Sequence, residues 1–273
     1  MANTEPTDYY KNTREPFIIA EIGSNWKGKT REESWNNCIK CCNLAQEYGA
    51  SAVKFQLFSH QELYGKPGKD EFAFPVEWVD KLATYCESQL LIKFMVSAFS
   101  ADGFDVVNPH VEIHKVASSK VGDKHFMAKV ADCDKPCLVS DGMFDVPVWD
   151  NIIPMLCASA YPAEESDYDL FKIWEYALRY PLGWGVSDHT NNATLAKLLR
   201  ANGCSYFEKH VNFLGVSSPD NCVDIHTHKF GTYVDIIRST PVKRPEAVKS
   251  EARKKWGDRW VEEEKGYFRP SGD

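Results

Sequence analysis

Apolar residues in this chain gather in eight short runs that rarely alternate with polar ones: 17–23, 51–56, 91–99, 111–118, 136–143, 152–161, 183–189 and 205–210. Unalternating runs of that length read as strands buried on both faces, the pattern of a parallel sheet. Between the runs the period lengthens to that of helices. Trp35, Cys38, Ile39, Cys42 and Ala45 share one face of a helix that starts near Glu33 and ends at Gly49. A long loop through Pro67 and Gly68 leads to a second helix near 76–89, and a third is expected at 124–131. A fourth would turn Leu170, Ile173, Trp174, Ala177 and Leu178 inward. A fifth would turn Leu195, Leu198 and Leu199 inward and stop at Asn202-Gly203, and a last one would start near His228.

Eight strands, each followed by a helical or looped segment, are the number at which a parallel sheet closes around a core filled by side chains. The fold class read from this pattern is α/β, a (β/α)8 TIM barrel with a short C-terminal helical extension. An open doubly wound sheet competes, but no glycine-rich dinucleotide fingerprint follows the first strand. The barrel would span residues 17–240, after an N-terminal arm at 1–16 and before a charged extension at 241–273. That extension reads as one helix at about 246–260, which packs its tryptophans on the barrel or serves as a dimerisation arm.

A barrel of this type carries its chemistry on the C-terminal rim of the strands. The first strand ends with Glu21 and Asn25, the second with Lys54 and Gln56, the fourth with Lys115 and Ser118. Ser140 closes the fifth, and Ser159 and Tyr161 close the sixth. The seventh and eighth offer Ser187, Asp188, His189, Glu208, Lys209 and His210. Lysines inside apolar runs are costly to bury unless paired. Lys54 and Lys115 with the hydroxyls of Ser118 and Ser140 suit a phosphate or carboxylate. His189 and His210, with Glu21 nearby, suit a half-open divalent-metal site. Plainer readings compete: histidines held by structural hydrogen bonds, and Glu21 paired with a lysine for stability alone. Glu208 reads as facing outward or supporting the ligands from behind, and His226 and His228 as solvated loop residues.

Composition narrows the partners. Of 273 residues, 43% are hydrophobic and 26% charged, an ordinary globular balance, and the net charge of -7 argues against nucleic acid or anionic membranes. No apolar run reaches membrane-spanning length and the first sixteen residues are polar, so a cytoplasmic location is expected. The nine cysteines read as reduced and structural, with Cys38, Cys41 and Cys42 on the buried face of the first helix.

Seven segments together resemble the sialic acid synthase family. They are "IAEIGSN" at 19–25, "GASAVKFQ" at 49–56, "HKVASSKVGD" at 114–123, "KPCLVSDGM" at 135–143, "CASAYPAEESDYDL" at 157–170, "GVSDHT" at 185–190 and "FEKHV" at 207–211. The resemblance runs in order from about residue 17 to 240. It implies a metal-dependent condensation of phosphoenolpyruvate with a sugar aldehyde, such as an N-acetylmannosamine-like amino-sugar. Lys54, Lys115, Ser118 and Ser140 would hold phosphoenolpyruvate. His189 and His210 would hold a divalent manganese or magnesium ion that polarises the aldehyde, and Glu21 would help deprotonate the attacking water. Ser159, Tyr161, Ser187 and Asp220 would line the sugar side, with Asn25 and Gln56 as further substrate contacts.

Three departures from the family pattern alter the expectation. Trp26 stands where histidine usually follows asparagine, which would change a sugar contact. Asp141 stands where threonine is usual, adding a negative charge beside an anion site. The family's C-terminal antifreeze-like domain has no counterpart before Asp273, so a homodimer, or a separate chain in place of that domain, is the expected partner. The competing functions are the same chemistry on another aldehyde and a non-catalytic barrel kept as a binding protein or scaffold.

Overall fold

The computed structural model describes residues 15–222 and 225–242, together with the backbone of 260–262 and 268–270. Its strands are β1 (Phe17–Gly23), β2 (Ala52–Leu57), β3 (Lys93–Ala98), β4 (His114–Val116), β5 (Cys137–Ser140), β6 (Ile152–Cys157), β7 (Gly185–Asp188) and β8 (Tyr206–Asn212). Each pairs in parallel with the next, and β8 pairs with β1 from Phe17 to Glu21, closing the ring. The two-residue β9 (Ile225–His226) pairs in parallel with the end of β8, at Val211 and Asn212. The fold is the TIM barrel that the strand count predicts.

The helices are α1 (Arg31–Glu47), α2 (His60–Tyr64), α3 (Val79–Tyr85), α4 (Ala101–Val107), α5 (Lys124–Ala131), α6 (Lys172–Arg179), α7 (Thr194–Ala201) and α8 (Thr227–Ser239). Side-chain caps explain several starts. Thr30 accepts from the Glu33 amide, and Asp123 from those of His125 and Phe126. The short α2 and α4, absent from the periodicity, are set by Ser59, in a capping box with Glu62, and by Ser100. The β5–β6 connection carries no helix.

The barrel interior follows from the period of two along each strand. Phe17, Ile19, Ala52, Met95, Ile113, Leu138, Ile153, Met155 and Tyr206 form an apolar plug inside the ring. Their outward neighbours, such as Ile18, Val53, Val139 and Phe207, join the larger core beneath the helices. Two residues further along, the inward positions become Glu21, Lys54, Ser97, Lys115, Ser140 and Glu208, all buried. A dry floor therefore carries a polar layer directly above it.

Three expectations need correction. Trp174 and Leu178 on α6 do not face inward; they are 58% and 51% exposed, beside an exposed Phe171 and Ala177. The helix instead buries Tyr176, whose hydroxyl bonds Asp141, while Lys172 bonds the same carboxylate at 3.0 Å. Those polar anchors turn the helix away from its most apolar face, though Leu170 and Ile173 still touch the core. The fourth strand pairs only over His114–Val116, shorter than its apolar run. Trp260 does not end a helix but opens a strand, β10 (Trp260–Glu262), antiparallel to β11 (Phe268–Pro270). The remainder of that expected helix lies outside the described residues. None of the described helices is long and apolar enough to cross a membrane.

Candidate active site

A cavity of about 680 Å³ opens above the polar layer, at the C-terminal end of the strands. Its base is a chain of ion pairs and hydrogen bonds. Lys54 is in direct ion-pair contact with Glu21, donates to Ser97 Oγ at 2.8 Å, and lies 3.6 Å from Glu208. Lys115 donates to Ser140 Oγ at 2.8 Å and lies 3.7 Å from the other oxygen of Glu208. Ser140 and Ser187 share a hydrogen bond of 2.8 Å. Register accounts for the first link, since Glu21 on β1 sits beside Lys54 on β2 and His210 on β8.

The electrostatics of this layer are uneven. Burial opposes ionisation of Glu208, but Lys115 and Lys54 outweigh it and hold the carboxyl at about 2. Glu21 is pushed above the ordinary carboxylate range by burial, although Lys54 pulls the other way. Lys54 is raised because Glu208 and Glu21 overcome the burial penalty, whereas burial prevails at Lys115 and lowers it. Two carboxylates side by side therefore divide the work. Glu208 stays charged as a counter-ion, and Glu21 is the better proton acceptor near neutral pH.

His189 and His210 stand on one wall with ring centroids 5.6 Å apart. Alternation explains why both point in: Ser187 and His189 face the cavity, as do Glu208 and His210, while Asp188 and Lys209 turn outward. Those two pair with each other at 3.1 Å, both fully buried, behind the histidines. Burial, reinforced by His210, lowers His189 to about 3, so its ring is neutral at physiological pH. Tyr161 stacks on the His189 ring at 4.3 Å at the half-open mouth.

Of the residues expected from sequence, Lys54, Gln56, Lys115, Ser118, Ser140, Ser159, Tyr161, Ser187, His189, His210 and Asp220 all line this one cavity. Asp220 accepts from the Ser24 amide at 2.8 Å and the Ser24 hydroxyl at 2.6 Å. Glycine is required at position 23, where φ is +54° and a Cβ would lie 2.3 Å from the Asp220 carboxylate. Glu21 lies beneath the lining, behind Lys54.

Asn25 is a correction. Its amide donates to Val211 O and its oxygen accepts from Ser218, so it ties the end of β1 to the loop after β8 and does not line the cavity. Trp26 does not reach the cavity either; it is buried against Phe74 and Trp78, with centroids 5.5 and 5.7 Å away. The charge of Asp141 is likewise absorbed by Lys172, Tyr176 and the Cys157 amide rather than presented to the site.

Sequence comparison matches residues 41–248 to the NeuB family. The chain belongs to the NeuB family. It is 23% identical to the pseudaminic acid synthase of Campylobacter jejuni over 84% of this chain and 75% of that protein. It is 26% identical to the N,N'-diacetyllegionaminic acid synthase of Legionella pneumophila over 81% of this chain and 71% of that one. Among solved structures, the N-acetylneuraminic acid synthetase of Leptospira borgpetersenii superposes with a TM-score of 0.70 at 22% identity, covering 88% of this chain and 92% of the other. At that identity the likeness speaks to the fold.

In this NeuB barrel the pattern of strand ends left the direction of Glu208 open and passed over Ser97. Glu208 faces inward between the lysines, not outward, and Ser97 completes the Lys54 side. Both were accessible from alternation, two residues after the plug residues Tyr206 and Met95. The wall formed by His60 and Tyr64 on α2 and by Phe72 in the loop after it has no such signal, because a five-residue helix is too short to show a period and a loop has none.

The donor set also bears on a metal. His189 Nδ1 bonds Ala158 O at 2.8 Å, which leaves Nε2 as the lone pair. His210 Nδ1 is buried without a hydrogen-bond partner. Among the described residues no set of three His, Cys, Asp or Glu converges on one point. The residues fit a two-imidazole site whose other positions fall to water and substrate.

Proposed function

We propose that this chain condenses phosphoenolpyruvate with the aldehyde of an open-chain amino-sugar, giving a nonulosonic acid and phosphate. The observation that carries the reading is the meeting, in one cavity, of two buried lysines with hydroxyl partners and two inward histidines. The family relatives named pseudaminic acid synthase and N,N'-diacetyllegionaminic acid synthase support the same class.

Phosphoenolpyruvate carries its phosphate ester and its carboxylate on the same carbon. Lys115, Ser140 and Ser118 would receive one of them and Lys54 with Ser97 the other, each by charge-assisted hydrogen bonds in a water-poor pocket. A divalent manganese or magnesium ion held by His189 and His210 would supply Lewis-acid polarisation of the aldehyde oxygen. The methylene carbon of phosphoenolpyruvate attacks the aldehyde carbon, forming the new C–C bond and leaving positive charge on the carbon that bears the phosphate. Glu21, raised by burial, takes a proton from water as the water oxygen bonds that carbon. The former aldehyde oxygen takes up the proton held by Glu21 and ends as a hydroxyl. The added hydroxyl then loses its proton to the departing phosphate as the C–O bond to phosphate breaks and the ketone forms, and the lysines stabilise the departing charge. Gln56, Ser159, Tyr161, Ser187 and Asp220 line the remainder of the cavity, where the sugar hydroxyls would lie.

The test is phosphate release from phosphoenolpyruvate by the purified chain with manganese across a panel of amino-sugars. Release is expected only when metal, donor and acceptor are all present, with a product whose mass equals acceptor plus pyruvate. No release across the panel would overturn the assignment. Release with a simple aldehyde but no amino-sugar would replace the acceptor and keep the chemistry.

A further inference from the structure

At the opposite end of the barrel, far from the mouth of the cavity, three side chains form a second reactive cluster. Cys133 lies in the turn before β5, Cys137 is the first residue of β5, and His114 opens β4. Cys133 is half-buried, whereas Cys137 and His114 are buried. The two sulfurs bracket one peptide: the Lys135 amide donates to Cys133 Sγ at 3.4 Å, and Cys137 Sγ donates to Lys135 O at 3.4 Å. The two sulfurs lie close enough to influence each other, and the His114 ring acts on the Cys133 sulfur. That ring is held in place, stacked on Phe104 at 4.0 Å and bonded through Nε2 to Asn108 Oδ1 at 2.9 Å.

The two sulfurs differ in character. Cys133 has the Cys137 thiol and the His114 ring beside its sulfur and accepts from the Lys135 amide, and together these bring it to about 4. Cys137 has the opposite surroundings: its thiol donates to the Lys135 carbonyl, and the neighbouring Cys133 sulfur and burial both disfavour its anion, so it stays a thiol. The eight cysteines from Cys38 to Cys204 are free thiols, and most of the others among them are buried. Only this pair joins an accessible sulfur, a buried partner sulfur and an imidazole.

We propose that Cys133 and Cys137 form a peroxide-reactive dithiol, with Cys133 as the attacking sulfur and Cys137 as the resolving one. In the first step the Cys133 thiolate attacks one oxygen of a hydroperoxide. An S–O bond forms, the O–O bond breaks, and the leaving hydroxide or alkoxide is protonated, leaving Cys133 as a sulfenic acid. In the second step Cys137 sulfur attacks Cys133 sulfur. The S–S bond forms as the S–O bond breaks, and hydroxide departs with the Cys137 proton as water. The two cysteines lose two electrons in all, and the peroxide gains them. A small-molecule dithiol reverses the change by exchange. The hydrogen bonds now seen between each sulfur and Lys135 place the partners in register for this closure without unfolding a strand.

The experiment treats the full chain with a modest excess of hydrogen peroxide, blocks remaining thiols with an alkylating agent and maps the peptides by mass spectrometry. The expected result is a Cys133–Cys137 cross-link, two hydrogens lighter than the reduced peptides and lost on adding dithiothreitol. Cys137→Ser is expected to abolish the cross-link and leave a sulfenic acid at Cys133 that dimedone captures. His114→Gln should slow alkylation of Cys133 at neutral pH about tenfold, with thermal melting as a check on folding. The mapping of the unmutated chain stands even where a variant misfolds. The proposal is overturned if peroxide leaves 133 and 137 unlinked while other cysteines oxidise first, or if Cys133 is alkylated no faster than the rest.

Discussion

Glu208 is the residue on which the polar layer balances. It supplies the counter-charge to Lys54 and Lys115 together, so its neutralisation would leave two buried ammonium groups sharing Glu21 alone. Its folded value, held at about 2, lies below the ordinary glutamate value of roughly 4.3. A depressed carboxylate stabilises the fold above its unfolded value and loses that contribution as pH falls through the folded one. The contribution from Glu208 is therefore present at neutral pH and fades between roughly pH 4.3 and 2. Glu208→Gln should lower the urea midpoint at pH 7 and bring wild type and variant together as pH falls through that window. A gap that does not change with pH would place the role of Glu208 elsewhere. The same substitution removes the carboxylate that competes with an incoming anion for the lysines.

Among the elements, α6 separates pattern from packing most clearly. Its apolar spacing points Trp174 and Leu178 toward a core, yet both lie on the exposed side, and the buried contacts come from Tyr176 and Lys172 on Asp141. Hydrophobic periodicity reports which residues share a face, not which face a partner covers. Trp174→Ser should therefore shift unfolding free energy by no more than about 0.5 kcal/mol, as at other exposed positions. Tyr176→Ala should cost about 3 kcal/mol or more, because it opens a cavity and strips a hydrogen bond from a buried carboxylate. Denaturant titration of the two variants reads both, and equal losses would restore the inward face. Strands β7 and β8 show the complementary case. There the period of two settles at once that the histidines share one side, with Asp188 and Lys209 locked together on the other.

For the whole molecule, the consequence of closure is that residues nearly 190 positions apart become neighbours, as Glu21 and His210 do. If the two imidazoles hold a divalent ion, binding to the folded state alone adds about 2.7 kcal/mol at a hundredfold excess over Kd. Manganese is thus expected to raise the melting temperature of the wild-type chain and to leave a His189→Ala, His210→Ala double variant unmoved. Scanning calorimetry with and without the ion decides it. An equal rise in both proteins would send the ion elsewhere.

The sequence by itself determined the number and order of the strands, and with them the closed parallel barrel. It also marked the lysines, serines and histidines at the base of the cavity, because they sit at or just past strand ends, where a short-range pattern changes from apolar to polar. What lay beyond it was decided by contacts between distant segments. The burial of Trp26 among Phe74 and Trp78, the diversion of Asn25 to Val211 and Ser218, and the neutralisation of Asp141 by α6 all belong to that class. Local spacing fixes the relation between a residue and its own strand or helix. Whether a given face meets substrate, core or solvent depends on what the closed ring brings against it, and only the tertiary structure holds that information.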